Sequence, residues 1–464
     1  MRRALAVLAL CTLSCGAAKT PPPAIETVPA EPPKSTTKNS SDHLVSPGAE
    51  PRSADEVVAR ALADVALRRE LPAKGPVKGK TISRDEMVAH VRDQIHSEIP
   101  KDVMDAQNEL LFSIGVVPAD FDYEASILVL MGSELAGFYE PKDKTMYLAE
   151  DLVGMEAHAT LAHELVHALQ DQHYDLGKRI KFREDATDEQ SAVHALAEGD
   201  ATSAMLDEML AVQGRTALDL PEDMIGMETR GSMAVAPGSA SVPGLIKRSV
   251  IAPYVDGVRF VHWGRRRGGW AEVDRIWQSP PTTTEQLLHP KKYLAHEAGV
   301  DVKVPPAPAG GPKQVIYRDI QGEESVRLLF EEWMPRRTAE TAATGWGGDR
   351  VAVFREGGNV AMAWHLRYDD EASAKEGLVA MARGVLKTTE QDPRSPFVSR
   401  AQAEKKLRQN GVCRERKEAG PFAVVRRGKD LALVAGPYHR QGSQVKAAST
   451  CSKALAWARA IAAT

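Results

Sequence analysis

The stretch LAHELVHAL (Leu161–Leu169) governs how the rest of the chain is interpreted. His163 and His167 are four residues apart, so in an α-helix both imidazoles lie on one face and can reach one metal ion at about 2.0–2.1 Å. Glu164 is displaced by about one hundred degrees around the same helix, so it can address a metal-bound water instead of the metal. We therefore expect a zinc site with Glu164 as general base. The alternative is a solvent-facing helix whose histidines have no chemical role.

A catalytic zinc ion needs a third protein ligand and one open position. A histidine on a turn after His167 would serve, but Asp171 and His173 do not have that spacing. A second helix is predicted from Thr187 to about Val212, and Glu198 is a lone carboxylate on its apolar face. Burying such a group is costly unless it is paired or bound to a metal. Glu198 is therefore the expected third ligand, and a structural ion pair is the alternative.

The residues around Glu198 extend this prediction. Asp200 is expected to orient a ligand histidine from outside the coordination shell. His194, one turn before Glu198, is a weaker ligand candidate and is expected to be a core residue with its hydrogen bonds satisfied. Gly199 would let two helices approach closely, at a cost in helix propensity.

The N-terminus has the features of an export signal. Two arginines precede a short apolar run, and LSCG (Leu13–Gly16) resembles a bacterial lipobox, in which Cys15 becomes lipidated. We expect a signal peptide over residues 1–14 and a lipid-anchored, disordered linker rich in Pro, Ser, Thr and Lys over 15–53. This predicts an exported protein anchored to the membrane of the cell envelope, at the outer membrane. Cleavage without lipidation is the alternative.

The cysteine count supports an oxidising compartment. Of four cysteines, Cys11 leaves with the signal peptide and Cys15 takes the lipid. Cys413 and Cys451 remain, and a disulfide between them is the simplest expectation for an exported protein. The alternative is a pair of unpaired buried thiols.

Length and patterning predict a two-domain α+β protein. A chain of 464 residues is too long for one compact core, and 43% hydrophobic with 26% charged residues is typical of a soluble globular protein. The formal net charge of −4 gives no reason to expect a nucleic-acid partner. Residues 54–303 have mostly helical spacing, with a strand–turn–strand at 137–148. Residues 313–464 contain two β-β-α units, which predict a small antiparallel sheet with helices on one face.

Several segments together carry a family resemblance. The HExxH motif followed by EGDA at 198–201 resembles the gluzincin branch of zinc metallopeptidases. Further segments are similar to a largely uncharacterised group of bacterial secreted metallopeptidase-like proteins: GFYEP (137–141), HALQDQH (167–173), TEQLLHP (284–290) and GWGGDR (345–350). The resemblance spans roughly residues 80–370. It implies a zincin-like fold for 54–303, and a peptide or protein substrate bound along the strand region of Tyr139 and Tyr147.

The reaction also needs a group that stabilises the oxyanion of the transition state. His289 is the first candidate and is assigned a catalytic role, while Tyr254 and Tyr293 are the others. The alternative for His289 is a surface turn that ends at Pro290.

Two other functions remain open. The chain could be a catalytically inactive surface lipoprotein that acts as a binding or scaffold module and retains zinc structurally, with four protein ligands. It could also hydrolyse a non-protein amide, such as a cell-wall component.

Overall fold

The structure is a computed structural model that describes residues 53–222, 224–227, 239–388 and 396–464, with the side chains of 131–134 left undescribed. The expected signal peptide, Cys15 and nearly all of the linker lie outside the described residues. Of the described residues, 54% are helical and 19% lie in strands, so the α+β class is confirmed. Within the described ranges, no helix has both the length and the hydropathy that a membrane span requires.

The α-helices are numbered here in chain order. They are α1 (Ala54–Arg68), α2 (Arg84–Glu98), α3 (Lys101–Ser113), α4 (Tyr123–Glu134), α5 (Gly154–Tyr174), α6 (Leu176–Arg179), α7 (Thr187–Leu210), α8 (Gly244–Gln278), α9 (Thr284–Leu288), α10 (Pro290–Leu294), α11 (Gly322–Phe330), α12 (Arg336–Ala343), α13 (Glu371–Lys387), α14 (Arg400–Lys406) and α15 (Cys451–Ile461).

The strands form two sheets. They are β1 (Lys78–Ile82), β2 (Gly137–Glu140), β3 (Thr145–Ala149), β4 (Val315–Asp319), β5 (Trp346–Glu356), β6 (Asn359–Tyr368), β7 (Gly411–Arg416), β8 (Gly420–Arg427), β9 (Asp430–Gln441) and β10 (Gln444–Ala447). The first sheet has the order β1-β3-β2, with β2 antiparallel to β3, which confirms the expected strand–turn–strand. The second has the order β4-β5-β6-β9-β8-β7, and β10 pairs with β9. Its neighbouring strands are antiparallel, as expected.

Helices α5 and α7 are buried around their whole circumference for much of their length. Every residue from Ala159 to Gln170 in α5 is buried, and so is every residue from Gln190 to Ala204 in α7. A helix enclosed on all sides lies at the centre of its core. The two helices that carry the HExxH motif and Glu198 therefore pack together inside the molecule, and α8 also packs against α7.

The contact between α7 and α8 depends on two glycines. A Cβ atom on Gly199 would lie 2.1 Å from the carbonyl carbon of Gly257. A Cβ atom on Gly257 would lie 1.8 Å from the backbone oxygen of Ala195. Any side chain at either position would therefore force the two backbones apart, which confirms that Gly199 permits a close helix approach.

The C-terminal sheet is covered on both faces, so the expectation of helices on one face is wrong. Val353 belongs to the same buried cluster as Leu378 of α13. The next residue towards the N-terminus, Ala352, belongs to a separate cluster with Trp457 of α15. Successive strand residues point to opposite faces, so α13 and α15 lie on opposite sides of the sheet. The sulfur atoms that link α15 to β7, those of Cys413 and Cys451, lie 2.06 Å apart, in agreement with the expected disulfide.

The boundary expected at residues 304–312 does not separate two cores. Side chains of α2, α3 and α4 belong to the same buried cluster as the C-terminal sheet. Phe112 of α3 packs edge-on against Tyr438 of β9 with ring centroids 5.3 Å apart, and Ser113 shares a hydrogen bond with the same tyrosine. The core around α1, α5 and α7 is a second cluster, which also includes the C-terminal part of α8.

Candidate metal centre

The structure brings His163, His167 and Glu198 together. The Nε2 atoms of His163 and His167 are 3.2 Å apart. Glu198 Oε2 lies 3.0 Å from His163 Nε2 and 3.5 Å from His167 Nε2. Ligand atoms in a tetrahedral shell at about 2.0–2.1 Å from zinc are about 3.3–3.4 Å apart, so this donor set fits a zinc ion. All three side chains are at most 5% exposed.

The electrostatics of this cluster centre on Glu198. Burial disfavours its ionised form, but the charge on His167 and the hydrogen bonds from the imidazoles hold its pKa well below the ordinary value. Burial lowers the pKa of His163. Burial also acts against the charged form of His167, but Glu198 outweighs it and raises the pKa of His167 to about 9. The cluster therefore pairs an ionised carboxylate with a charged imidazole, and a metal cation could take the place of that proton.

Two further side chains support the cluster. His194 Nε2 lies 3.0 Å from Glu198 Oε1, the carboxylate oxygen that His163 and His167 do not contact. This agrees with the expectation of a core histidine with its hydrogen bonds satisfied. The spacing of one helical turn between His194 and Glu198 is the sequence feature that indicates their contact. Gln170 Oε1 lies 2.8 Å from His167 Nδ1, and its amide nitrogen donates to the carbonyl oxygen of Ala197 at 3.0 Å. Sequence reasoning missed Gln170, although it follows His167 by one helical turn.

Glu164 lies beside strand β2. It is fully buried, and its Oε2 atom accepts a hydrogen bond of 2.9 Å from the backbone N–H of Tyr139. The side chain of Tyr139 has a different partner, since its hydroxyl donates to Asp171 at 3.2 Å. Tyr147 donates its hydroxyl to Asp143, and its ring stacks on another aromatic residue of the sheet. The expected substrate strand therefore meets the site through the backbone at Tyr139, and not through these two side chains.

Asp200 does not have the role expected of it. Its carboxylate binds the guanidinium of Arg69, with one contact of 2.5 Å, and accepts a hydrogen bond from the indole N–H of Trp277 at 2.8 Å. Two residues along a helix correspond to a rotation of about 200°, so Asp200 and Glu198 point to opposite sides of α7. The expectation that Asp200 orients a ligand histidine is therefore wrong. Asp200 instead neutralises a buried arginine.

His289 lies away from the cluster of His163, His167 and Glu198. Its Nε2 atom lies 2.8 Å from Glu323 Oε1. The helix just before it, α9, packs at the first turn of α7, where Thr284 donates to Asp188 through its backbone and its hydroxyl. Asp188 precedes Glu198 by ten residues, or about 15 Å along the helix. The contacts of His289 are those of a structural ion pair.

Tyr254 is the oxyanion candidate that lies near the cluster. Its ring centroid is 5.9 Å from that of His163, and the side chain is buried. Tyr293 instead donates its hydroxyl to the backbone oxygen of Ser279. Of the three residues considered for this role, the structure places Tyr254 beside His163.

A second group of carboxylates with metal-ligand spacing is already neutralised by the protein. Glu285, Glu297 and Asp369 each lie within reach of one cation. The ammonium group of Lys292 contacts all three, at 2.7, 2.6 and 2.6 Å. This group is an ion-pair network around a lysine, and the described residues offer the histidine cluster as the better metal site.

Comparisons with known proteins cover only the C-terminal sheet. Residues 314–446 match a family model described as a domain of unknown function (DUF8575). This range runs from β4 to β10, whereas the cluster lies on α5 and α7. No curated protein and no solved structure matches the chain.

Proposed function

We propose that the protein is a zinc-dependent peptidase in which His163, His167 and Glu198 bind the metal ion and Glu164 is the general base. The observation that carries the proposal is the convergence of three ligand atoms, 3.0–3.5 Å apart, next to a buried carboxylate that is not one of them. Three protein ligands leave one position of a tetrahedral ion open, as catalysis requires.

The chain's own groups have distinct tasks in this mechanism. When bound, a zinc ion supplies Lewis acidity, which lowers the pKa of a water to about 7 and polarises a carbonyl group. Glu164 accepts the proton of the attacking water and passes it to the leaving amine. The N–H of Tyr139 holds Glu164 Oε2 in place. Tyr254, beside His163, is the residue we propose to stabilise the oxyanion.

A peptide or protein substrate is proposed from the position of β2. This strand lies at the edge of its sheet, and its backbone at Tyr139 contacts the proposed base. An extended peptide can pair with the backbone of an edge strand, which would bring its carbonyl group towards Glu164. Export and lipid anchoring at Cys15 in the cell envelope belong to the same proposal, and a disulfide is typical of an oxidising compartment.

The test compares zinc content and turnover in matched variants. The full-length chain with Cys15→Ser, which cannot be lipidated, serves as the parent. In this parent, Glu164→Gln should still bind about one zinc ion per chain, because the amide oxygen can accept the Tyr139 N–H. It should not hydrolyse a mixed peptide library, because an amide cannot take the proton. Glu156→Gln, on the first turn of the same helix, is the control and should remain active.

Three outcomes would contradict the proposal in different ways. Equal turnover by the Glu164→Gln protein would exclude Glu164 as the base. A parent chain without zinc would exclude the metal site. A parent chain that retains zinc but cleaves no peptide would favour the scaffold alternative or a non-peptide amide substrate.

A further inference from the structure

We infer that Gln170 is a positioning residue that fixes the orientation of His167 and joins the two ligand-bearing helices. The inference rests on the proposed zinc site. Gln170 is fully buried on α5, and its two amide atoms have different partners. The nitrogen donates to Ala197 O at 3.0 Å, and the oxygen lies 2.8 Å from His167 Nδ1.

The amide orientation follows from its partners. A backbone carbonyl oxygen can only accept a hydrogen bond, so the Gln170 atom that faces Ala197 must be the NH₂ group. The atom that faces His167 is then the carbonyl oxygen, which can also only accept. His167 must therefore carry a proton on Nδ1 and donate it to Gln170.

This hydrogen bond selects the metal-binding nitrogen of His167. An imidazole that keeps its proton on Nδ1 presents the Nε2 lone pair, and Nε2 is the atom that lies 3.2 Å from His163 Nε2. Without an acceptor at Nδ1, the proton could occupy either nitrogen and the ring could rotate. Gln170 thus acts on the metal only through His167.

The other end of the same amide acts on the third ligand. Ala197 directly precedes Glu198 on α7, so the hydrogen bond from Gln170 joins α5 to α7 at the level of the cluster. A shift of α7 relative to α5 would change the distances of 3.0 and 3.5 Å between Glu198 and the histidines. One side chain therefore controls both the donor atom of His167 and the position of Glu198.

The chain offers a matched control for a merely structural role. Gln190 is also buried, and it lies on the other ligand-bearing helix. Its amide nitrogen donates to Ile180 O and Lys181 O, and its oxygen accepts from the backbone of Arg183. Replacing either glutamine by leucine removes an amide of the same size from the interior, but only Gln170 contacts a ligand histidine.

The experiment measures zinc affinity of the full-length chain by competition with a chelator. Gln170→Leu should bind zinc about 10–100-fold more weakly than the parent, as is common when a partner of a ligand histidine is lost. Gln190→Leu should lower the thermal unfolding midpoint to a similar degree and change zinc affinity by less than about threefold. Gln170→Glu should recover part of the affinity, because its carboxylate still accepts the Nδ1 proton.

A second measurement does not depend on affinity or activity. In the zinc-loaded parent, the Nδ1 proton of His167 should give a slowly exchanging NMR signal, because it is buried and hydrogen-bonded. The signal should persist in Gln170→Glu and in Gln190→Leu, and should be lost in Gln170→Leu. If Gln170→Leu does not fold, Gln170→Glu carries the test, and loss of the signal there would overturn the inference.

The outcomes separate this inference from the proposed function. Zinc affinity of Gln170→Leu equal to that of the parent would overturn the positioning role and leave the zinc site intact. An equal loss of affinity in Gln190→Leu would show that Gln170 acts only through stability. A parent chain that binds no zinc would refute both proposals.

Discussion

At the scale of single residues, Glu198 is the group on which the cluster depends. Its ionised carboxylate contacts His163, His167 and His194 in the interior, where an unpaired charge would be costly. We predict that Glu198→Ala weakens zinc binding by more than about 100-fold, since loss of a ligand should exceed the 10–100-fold effect of losing a ligand's partner. Zinc titration of the purified chain measures this.

Glu208 provides the control for that prediction. It lies on the same helix, near its C-terminal end, and pairs with Arg68 and His158 instead of the cluster. Glu208→Ala should bind zinc as the parent does. Unchanged zinc affinity in Glu198→Ala would refute its role as a ligand.

Residue spacing predicted some members of the site and not others. His163, His167 and Glu198 could be proposed from the sequence because helical periodicity determines which side chains share a face. The link from Gln170 to Ala197 could not, because it depends on the register between α5 and α7. Tyr254 was considered, but nothing in the sequence showed that it, and not His289, would lie beside the cluster. Contacts between elements that are distant in sequence are not encoded in local spacing.

At the scale of elements, the crossing of α7 and α8 holds Glu198 in place. A methyl group on Gly257 would collide with the backbone oxygen of Ala195, which cannot move without moving α7. We predict that Gly257→Ala lowers stability by more than about 2 kcal/mol, in the range of overpacked cores, and also weakens zinc binding. Thermal unfolding and zinc titration of the same preparation measure the two effects.

Gly264, also on α8, is the matched control for this crossing. A Cβ atom there would meet only the end of the Ile276 side chain, at 2.8 Å, which can rotate away. Gly264→Ala should be tolerated, helped by the higher helix propensity of alanine. If Gly257→Ala bound zinc as well as Gly264→Ala does, the crossing would not position Glu198.

The C-terminal sheet shows what the element pattern could predict. The antiparallel pairing of this sheet was predicted from the two β-β-α units of the sequence. The continuous apolar run at 351–354 is typical of a strand covered on both faces, but two β-β-α units of equal form suggested a single covered face. In the structure, the second unit contains a further strand, β10, before its helix α15. This extra strand lies between β9 and α15 along the chain, so the two units are not equivalent.

At the scale of the whole molecule, two of the segments that carry the family resemblance join the α7 region to the C-terminal sheet. Asp349, in GWGGDR, accepts hydrogen bonds from the indole N–H groups of Trp346 and Trp364 and from the backbone at the start of α11. Thr284, in TEQLLHP, donates to Asp188 at the start of α7 and accepts from the backbone N–H of Glu324 in α11. These motif residues therefore act in assembly, at a distance from the proposed chemistry.

The buried carboxyl group of Asp188 should make the free energy of unfolding depend on pH. Burial raises the pKa of Asp188 to about 7, with further contributions from the charges of Asp349 and Glu323. A carboxyl group whose pKa is higher in the folded state than in the unfolded state binds more protons when folded, so stability falls as pH rises from about 4 to about 7. Each pKa unit corresponds to about 1.4 kcal/mol. We predict that the free energy of unfolding of the parent chain decreases across this range through Asp188.

Asp188→Asn isolates that contribution, because the amide oxygen can still accept both hydrogen bonds from Thr284 and the amide carries no charge at any pH. Urea unfolding at pH 5, 6, 7 and 8 should show a loss of stability that is smaller by at least about 1 kcal/mol in Asp188→Asn than in the parent. Subtracting the two curves removes the contributions of the other titrating groups, including the buried histidines. Asp64→Asn, at an exposed position on α1, should follow the parent curve. If the free energy of unfolding depended on pH in the same way in Asp188→Asn and in the parent, Asp188 would not be protonated in the folded protein.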